Sequence, residues 1–257
     1  MIVEERRLKI LGVLEEKKTV SVKELVKLFG VSEDTIRQDL RVLDRQRLLR
    51  RTYGGAVRIG KSSAEIPFSL REISNRKVKE LIGREAVKLI EEGDSIIFDA
   101  STTSLQVARS IDPAKRVTIL TTSLDICISL AHNPNFNIIS TGGTLHAPSF
   151  SFVGPQAESA IRNYFADCLF LGAKAISLEQ MAIADVFELE AHLKKTMIQS
   201  TRKVVLVAES SKLKEQAFFK IADLSAIHIL VTDGDVDKEA VEKLEELGVE
   251  VRIARDS

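Results

Sequence analysis

Apolar residues in the first sixty positions recur at helical spacing. Leu8, Leu11 and Leu14, with Ile10 beside them, predict a helix over Glu4–Lys17, closed by Lys17-Lys18 at its negative end. Val22, Leu25, Val26 and Phe29 predict a second, short helix. Ser21 and Glu24 stand at the spacing of a capping box ahead of it, and Gly30 supplies a C-terminal residue free to take positive φ. Ile36, Leu40 and Leu43 then mark the inner face of a third helix, with Ser32 as its N-cap and Glu33-Asp34 beside its positive end. After Arg47 the pattern turns extended: Leu48–Thr52 and Ala56–Ile59 flank Tyr53-Gly54-Gly55, which predicts a hairpin.

Residues 61–75 keep no period and read as a linker, marked by Ser62, Ser63 and Pro67. Helical spacing resumes at Val78, Leu81, Ile82, Ala86, Leu89 and Ile90. Apolar runs then alternate with helical stretches. Residues 95–99, 117–121, 136–140, 168–171, 203–208 and 227–231 read as buried strands, with helices near 103–110, 123–132, 187–200 and 237–247. This alternation predicts a mostly parallel α/β domain over residues 76–257, behind a helical domain over residues 1–60.

Charge sharpens the division. The chain balances 37 Lys+Arg against 37 Asp+Glu, yet residues 1–60 hold 14 basic and 9 acidic side chains, so the head is +5 and the remainder −5. A basic head on an acidic body points to a polyanion as the head's partner. With 44% apolar and 29% charged residues, the composition excludes collagen, disordered and disulfide-scaffold classes. No apolar run reaches membrane-spanning length and no signal peptide is visible, so a cytoplasmic protein without a membrane partner is expected. Cys127 and Cys168 have no partner at metal-ligand spacing. They read as buried thiols in a reducing compartment.

Two short helices joined by a glycine-containing turn, the second basic on its outer half, fit a helix-turn-helix. Arg37, Gln38, Arg41 and Arg45 lie on the half of the third helix opposite its apolar face, Thr35, Arg37, Gln38 and Arg41 are expected to reach base edges or phosphates, and Ser32 stands at the helix N-terminus. The hairpin then forms a wing, with Arg50, Arg51, Tyr53, Gly54 and Arg58 available to the phosphate backbone.

In the body, four features fall at predicted carboxyl ends of strands, where open α/β sheets bind ligands. They are Asp99 with Ser101, Thr102 and Thr103; Thr121, Thr122 and Ser123; Gly142 and Gly143; and Lys174, joined by Lys194 and Lys212. Hydroxyls and free N–H groups at a helix start suit a phosphate, and the lysines add positive charge. Asp99 is expected to accept from a sugar hydroxyl. Neither a cofactor motif nor metal-ligand spacing appears.

The run Val31–Leu40 with Leu48–Ala56 resembles the winged helix-turn-helix signature of the DeoR-family bacterial transcriptional regulators. Gln38 and Tyr53 depart from it, standing where the family usually has Arg and His. The body, through residues 99–103, 121–125, Gly142-Gly143, Gly154, Lys194 and 209–212, resembles that family's sensor domain, a Rossmann-like α/β fold similar to ribose-5-phosphate isomerase and CoA transferases. The resemblance implies a repressor of a carbohydrate-metabolism operon. It binds double-stranded operator DNA as a homodimer or homotetramer and responds to a phosphorylated sugar or polyol. Two other readings compete: a DNA-binding protein whose body only oligomerises, and a sugar-phosphate isomerase or deaminase. The enzyme needs a general acid and base, for which Asp99, Glu188, Glu190 and His192 are candidates by type. It leaves the basic third helix unexplained, and the regulator, with no catalytic residue, is the preferred reading.

Overall fold

The computed structural model describes residues 1–59 and 65–256, and the chain divides into two units, Met1–Ser74 and Asn75–Ser257. The first unit runs α1 (Val3–Lys17), β1 (Thr19–Ser21), α2 (Val22–Phe29), α3 (Glu33–Arg45), β2 (Arg50–Arg51), β3 (Gly55–Val57) and α4 (Phe68–Ile73). Local sequence sets the helix ends. Ser21 Oγ accepts from Glu24 N–H while the Glu24 carboxylate accepts from Ser21 N–H, so two unpaired donors of α2 are satisfied reciprocally. Ser32 Oγ accepts from Thr35 N–H at 3.2 Å, and Gly30 ends α2 at φ +67°. Ile10, Leu14, Leu25, Ile36, Leu40, Leu43 and Leu49 share one core.

Three expectations for this unit are corrected. Helix α1 buries Arg6, Ile10 and Leu14, while Leu8 and Leu11 are only half-buried. Steps of three residues drift about 60° around a helix and steps of four about 40°, so the 6-10-14 row keeps its face better than the 8-11-14 row. The hairpin gains a third antiparallel strand, in the order β1-β3-β2. A three-residue strand is too short to show a period. Gly55 is needed there because a Cβ would stand 2.0 Å from Val20 O. The linker reading also gives way. Residues 61–64 lie outside the described residues, but Phe68–Ile73 form α4, and its Leu70 joins the core of this unit.

The second unit contains α5 (Arg76–Ala86), β4 (Ser95–Phe98), α6 (Thr102–Arg109), β5 (Val117–Thr121), α7 (Leu124–Leu130), β6 (Phe136–Ser140), β7 (Thr144–His146) and β8 (Ser151–Val153). It continues through α8 (Pro155–Arg162), β9 (Ala166–Leu171), β10 (Ala175–Ser177), β11 (Ala182–Asp185), α9 (Glu188–Gln199) and β12 (Thr201–Val207). It closes with β13 (Phe219–Asp223), β14 (Ile229–Asp233), α10 (Lys238–Glu246) and β15 (Glu250–Ala254). Seven strands form a parallel sheet in the order β15-β14-β12-β9-β4-β5-β6. Strands β10, β11 and β13 make a small antiparallel sheet, and β7 and β8 a hairpin. Phe98 and Phe170 stack at 5.2 Å between the neighbouring strands β4 and β9, both fully buried.

From β4 the chain proceeds outward to β5 and β6, then returns to place β9 on the other side of β4. The boundary between β4 and β9 is therefore the switch point of the sheet, where connections leave neighbouring strands in opposite directions and open a crevice at their carboxyl ends. The six predicted strands all exist, but residues 136–140 form an edge strand with no fully buried position. An apolar run is the same in sequence whether one face or both are covered. The small sheet, the β7–β8 hairpin, β15 and α8 were not predicted, being short or weakly periodic.

Candidate functional site

The arginines of α1, α3 and the wing sort into two sets. One set is consumed internally. Arg6 Nε and Arg7 Nε bind the two oxygens of buried Asp39 at 2.6 and 2.9 Å, Arg37 pairs with Glu33, and Arg58 pairs with Glu15. The Arg58 guanidinium, expected on phosphate, is thus engaged with α1. The other set is Arg41, Arg45, Arg50 and Arg51. All four are exposed and make no ion pair among the described residues. Arg41 is steadied on the helix by its Nε donating to Arg37 O at 3.3 Å. Gln38 is exposed on the same helix, and Thr35 shares a hydrogen bond with the N-cap Ser32. Arg51 N–H donates to Asp44 Oδ1 at 3.1 Å, which fastens the wing to the end of α3. At the wing tip Tyr53 is fully exposed, and Gly54 O accepts from Val22 N–H at 2.8 Å.

Asp39 was not foreseen as a site residue. Its acidic type on the inner half of α3, one position before Leu40, was the available signal. A charge there must be paired, and α1 supplies Arg6 and Arg7.

In the second unit the sheet brings the four predicted features, with Lys212, to the ends of neighbouring strands β12, β9, β4, β5 and β6. Their side chains serve different ends. Asp99, 1% exposed, accepts from Ser101 N–H at 3.2 Å and Ser104 Oγ–H at 2.6 Å on Oδ1, and from Gly172 N–H at 3.0 Å on Oδ2. Lys194 Nζ stands 3.4 Å from the same Oδ2 and 2.6 Å from Asp185 Oδ2. Burial works against the Lys194 ammonium. The carboxylates of Asp185, Asp99 and Glu190 outweigh it and hold the group above the ordinary lysine range, so Lys194 is charged at all physiological pH.

The expected role of Asp99 as acceptor for a sugar hydroxyl is corrected by this geometry. Both its oxygens are occupied by the chain's own donors. Lys194 is likewise committed to carboxylates. The contact across the switch point is tight: a Cβ on Gly172 would fall 2.4 Å from Ser101 Oγ. Ser101 donates to Ser104 Oγ at 2.9 Å and caps α6. What remains unpaired is the first turn of α6, where Thr102 and Thr103 are buried. The N–H and hydroxyl groups of Thr102 and Thr103 have no partner among the described residues.

The other features close the surroundings. Thr121 Oγ1 donates to Phe98 O and accepts from Ser123 N–H, and Ser123 Oγ caps α7 through Ile126 N–H. Thr122 O accepts from Phe152 N–H, and Leu124 N–H donates to Phe150 O, so the β7–β8 hairpin lies across the end of β5. His146 of the hairpin packs its ring 4.0 Å from that of Phe187, the N-cap of α9. Gly143, expected to admit a ligand, is instead close to the chain itself: a Cβ would meet Val153 O at 2.8 Å. Gly142 takes φ +62° beside it. Lys174 N–H donates to Ala184 O, and Lys212 sits in the turn after β12, near Glu215 at 3.9 Å. Among the described residues no group of three or more His, Cys, Asp or Glu is placed to hold a metal, and no helix is long and apolar enough to cross a membrane.

Comparison with known proteins follows the same division. A family model described as a DeoR-like helix-turn-helix domain matches residues 6–62, and one described as the DeoR C terminal sensor domain matches residues 74–234. The chain is 39% identical to the uncharacterized HTH-type transcriptional regulator YulB of Bacillus subtilis, over 98% of this chain and 96% of that protein. It is 36% identical to the HTH-type transcriptional regulator GlpR of Haloferax volcanii, over 98% of each. It is 34% identical to a putative aga operon transcriptional repressor of Escherichia coli O157:H7, over 96% of this chain and 92% of that one. Among solved structures, ribose 5-phosphate isomerase A of Methanocaldococcus jannaschii aligns with 54% of each chain at a TM-score of 0.41 and 16% identity.

Proposed function

This chain belongs to the DeoR family of helix-turn-helix transcriptional regulators, and we propose that it is a repressor of a carbohydrate-metabolism operon, released by a phosphorylated sugar or polyol. The head reads double-stranded operator DNA. The observation that carries this half is the unpaired set Arg41, Arg45, Arg50 and Arg51, exposed on α3 and the wing while Arg6 and Arg7 of α1 are spent on buried Asp39 and Arg37 pairs with exposed Glu33. Gln38 and Arg41 face base edges, and the wing arginines face phosphate. The name of the E. coli relative supports repression as the direction of control.

The effector half rests on the unpaired first turn of α6 at the switch point of the sheet. A phosphate there gains the N–H groups and hydroxyls of Thr102 and Thr103 and the positive end of the helix dipole. Two heads joined by the bodies of a homodimer or homotetramer would engage paired half-sites.

Fluorescence anisotropy with operator fragments recovered from genomic DNA tests the whole reading. The parent protein should bind one fragment family, and a sugar phosphate should release it. Thr102→Glu, which places a carboxylate at the phosphate position, should bind the same DNA and ignore the sugar phosphate. A Thr102→Glu protein released at the same concentration as the parent would overturn the map of the effector site. A parent that binds the operator but is insensitive to every sugar phosphate would favour the purely oligomerising body.

A further inference from the structure

The reading of an effector site at the carboxyl ends of β4 and β9 leaves open which side chain recognises the sugar rather than the phosphate, and the inference here rests on that reading. Asp99 cannot do so. Its oxygens already accept from Ser101, Ser104 and Gly172, and Lys194 lies against it. Asp185 is bound to Lys194 at 2.6 Å, and Val186 N–H donates to its Oδ1 at 2.7 Å. One carboxylate of the group stands differently. Glu190, in the first turn of α9 and one helical turn before Lys194, is 92% buried (8% exposed), and its Oε1 has no hydrogen-bond partner among the described residues.

A buried carboxylate oxygen without a donor is costly and rare in a folded protein. Glu190 is close enough to the Lys194 ammonium to act on its charge. Lys194, however, is held on Asp185 and Asp99, the two carboxylates in contact with its ammonium, so Glu190 gains only its longer-range attraction. A residue in this state is stabilised by anything that brings a hydrogen-bond donor. The phosphate of the effector is an acceptor and is repelled. The hydroxyls of a sugar or polyol are donors of the right kind.

We propose that Glu190 is the specificity-determining residue of the effector site, accepting hydrogen bonds from hydroxyl groups of a phosphorylated sugar or polyol whose phosphate lies on Thr102 and Thr103. The division of labour is physical. The N-terminus of α6 attracts any phosphate, and Glu190 admits only one that carries a donor at the right distance. A site built to pair a hydroxyl discriminates strongly against compounds lacking it, because the buried acceptor is then left unpaired.

Calorimetry on the full chain with inorganic phosphate, glycerol 3-phosphate, ribose 5-phosphate, fructose 6-phosphate, glucose 6-phosphate and glucitol 6-phosphate tests the assignment, using the parent, Glu190→Gln and Thr102→Glu. In Glu190→Gln the affinity for inorganic phosphate should stay within about twofold, while the best sugar phosphate should lose about tenfold or more. The melting temperature of unliganded Glu190→Gln should rise, because a buried carboxylate oxygen that lacks a hydrogen-bond donor no longer carries charge. A structural strut would show the opposite shift. The proposal is overturned if Glu190→Gln keeps the parent's preference for the sugar phosphate, or if it melts lower and loses phosphate and sugar phosphate alike. A Thr102→Glu variant that still takes the sugar phosphate, beside a Glu190→Gln variant that does not, would move the phosphate but keep Glu190. A parent that prefers no sugar phosphate over inorganic phosphate would end the effector reading, and this assignment with it.

Discussion

Asp39 holds Arg6 and Arg7 of α1 from the inner face of α3, at 2.6 and 2.9 Å, with its own side chain 2% exposed. Removing one member of a buried ion cluster leaves its partners charged and desolvated, which typically costs about 3–5 kcal/mol. Asp39→Ala should therefore lower the stability of the first unit by that order, read as an earlier urea transition in the circular dichroism of α1–α3. Loss of operator binding should accompany it, even though Asp39 faces away from the DNA. Lys194 makes the same argument in the second unit, with a dependence on pH. Its ammonium is held above the usual lysine range, so its contribution is fully present below the unfolded lysine value and is lost only as pH rises through the higher folded value. Lys194→Met should be markedly destabilised at pH 8. That deficit should stay level between pH 5 and pH 8, because the contribution of Lys194 is fully present everywhere below the unfolded lysine value. Urea midpoints of parent and variant across this range check it, and a variant as stable as the parent at pH 8 would rule the account out.

At the scale of elements, the proposed interface assigns α3 and the wing different kinds of contact. Arg41 projects from the recognition helix, and Arg41→Ala should weaken operator binding by about 1–3 kcal/mol while reducing binding to random DNA less. Arg51 stands on β2, with its backbone fixed by Asp44. Arg51→Ala should weaken binding about equally on all sequences and lower the slope of log affinity against log salt by about one. Anisotropy titrations of both variants at several salt concentrations separate the two behaviours. Equal loss on operator and random DNA for Arg41→Ala would assign it to phosphate. An unchanged slope for Arg51→Ala would remove the wing from the interface.

For the whole molecule, the proposed repressor sets one winged head on one half-site, and the free energy of a second head is added only if the bodies hold two together. Light scattering coupled to gel filtration should give the mass of two or four chains. Footprinting should show half-sites about one or two helical turns apart. A monomer at operator-binding concentrations would contradict this reading. A monomer would also leave unexplained the exposed Phe165 and Phe218, 70% and 87% exposed on the second unit.

Much of this protein is local and was legible without coordinates. The capping box of α2, the Ser32 cap of α3, the C-terminal Gly30 and the Ile36–Leu40–Leu43 face all follow from interactions within one turn of helix, which depend on neighbours in the chain. The central strands announced themselves because β4, β9, β12 and β14 are buried along most of their length and therefore read as apolar runs. The basic face of α3 was visible for the same reason: helical periodicity alone puts Arg41 and Arg45 opposite Leu40. What sequence could not determine was the use of each polar group. Asp99 and Thr121 fall at strand ends and Lys194 on α9, but only the neighbouring strands β9 and β4 and the end of β11 decide that their hydrogen-bonding capacity is spent on Gly172, Phe98 and Asp185. Glu190 is left with an open oxygen by the same packing. Satisfaction of a buried polar atom is a property of groups distant in the chain, Gly172 and Asp99 being 73 residues apart, so it exists only once the sheet has brought its strands together.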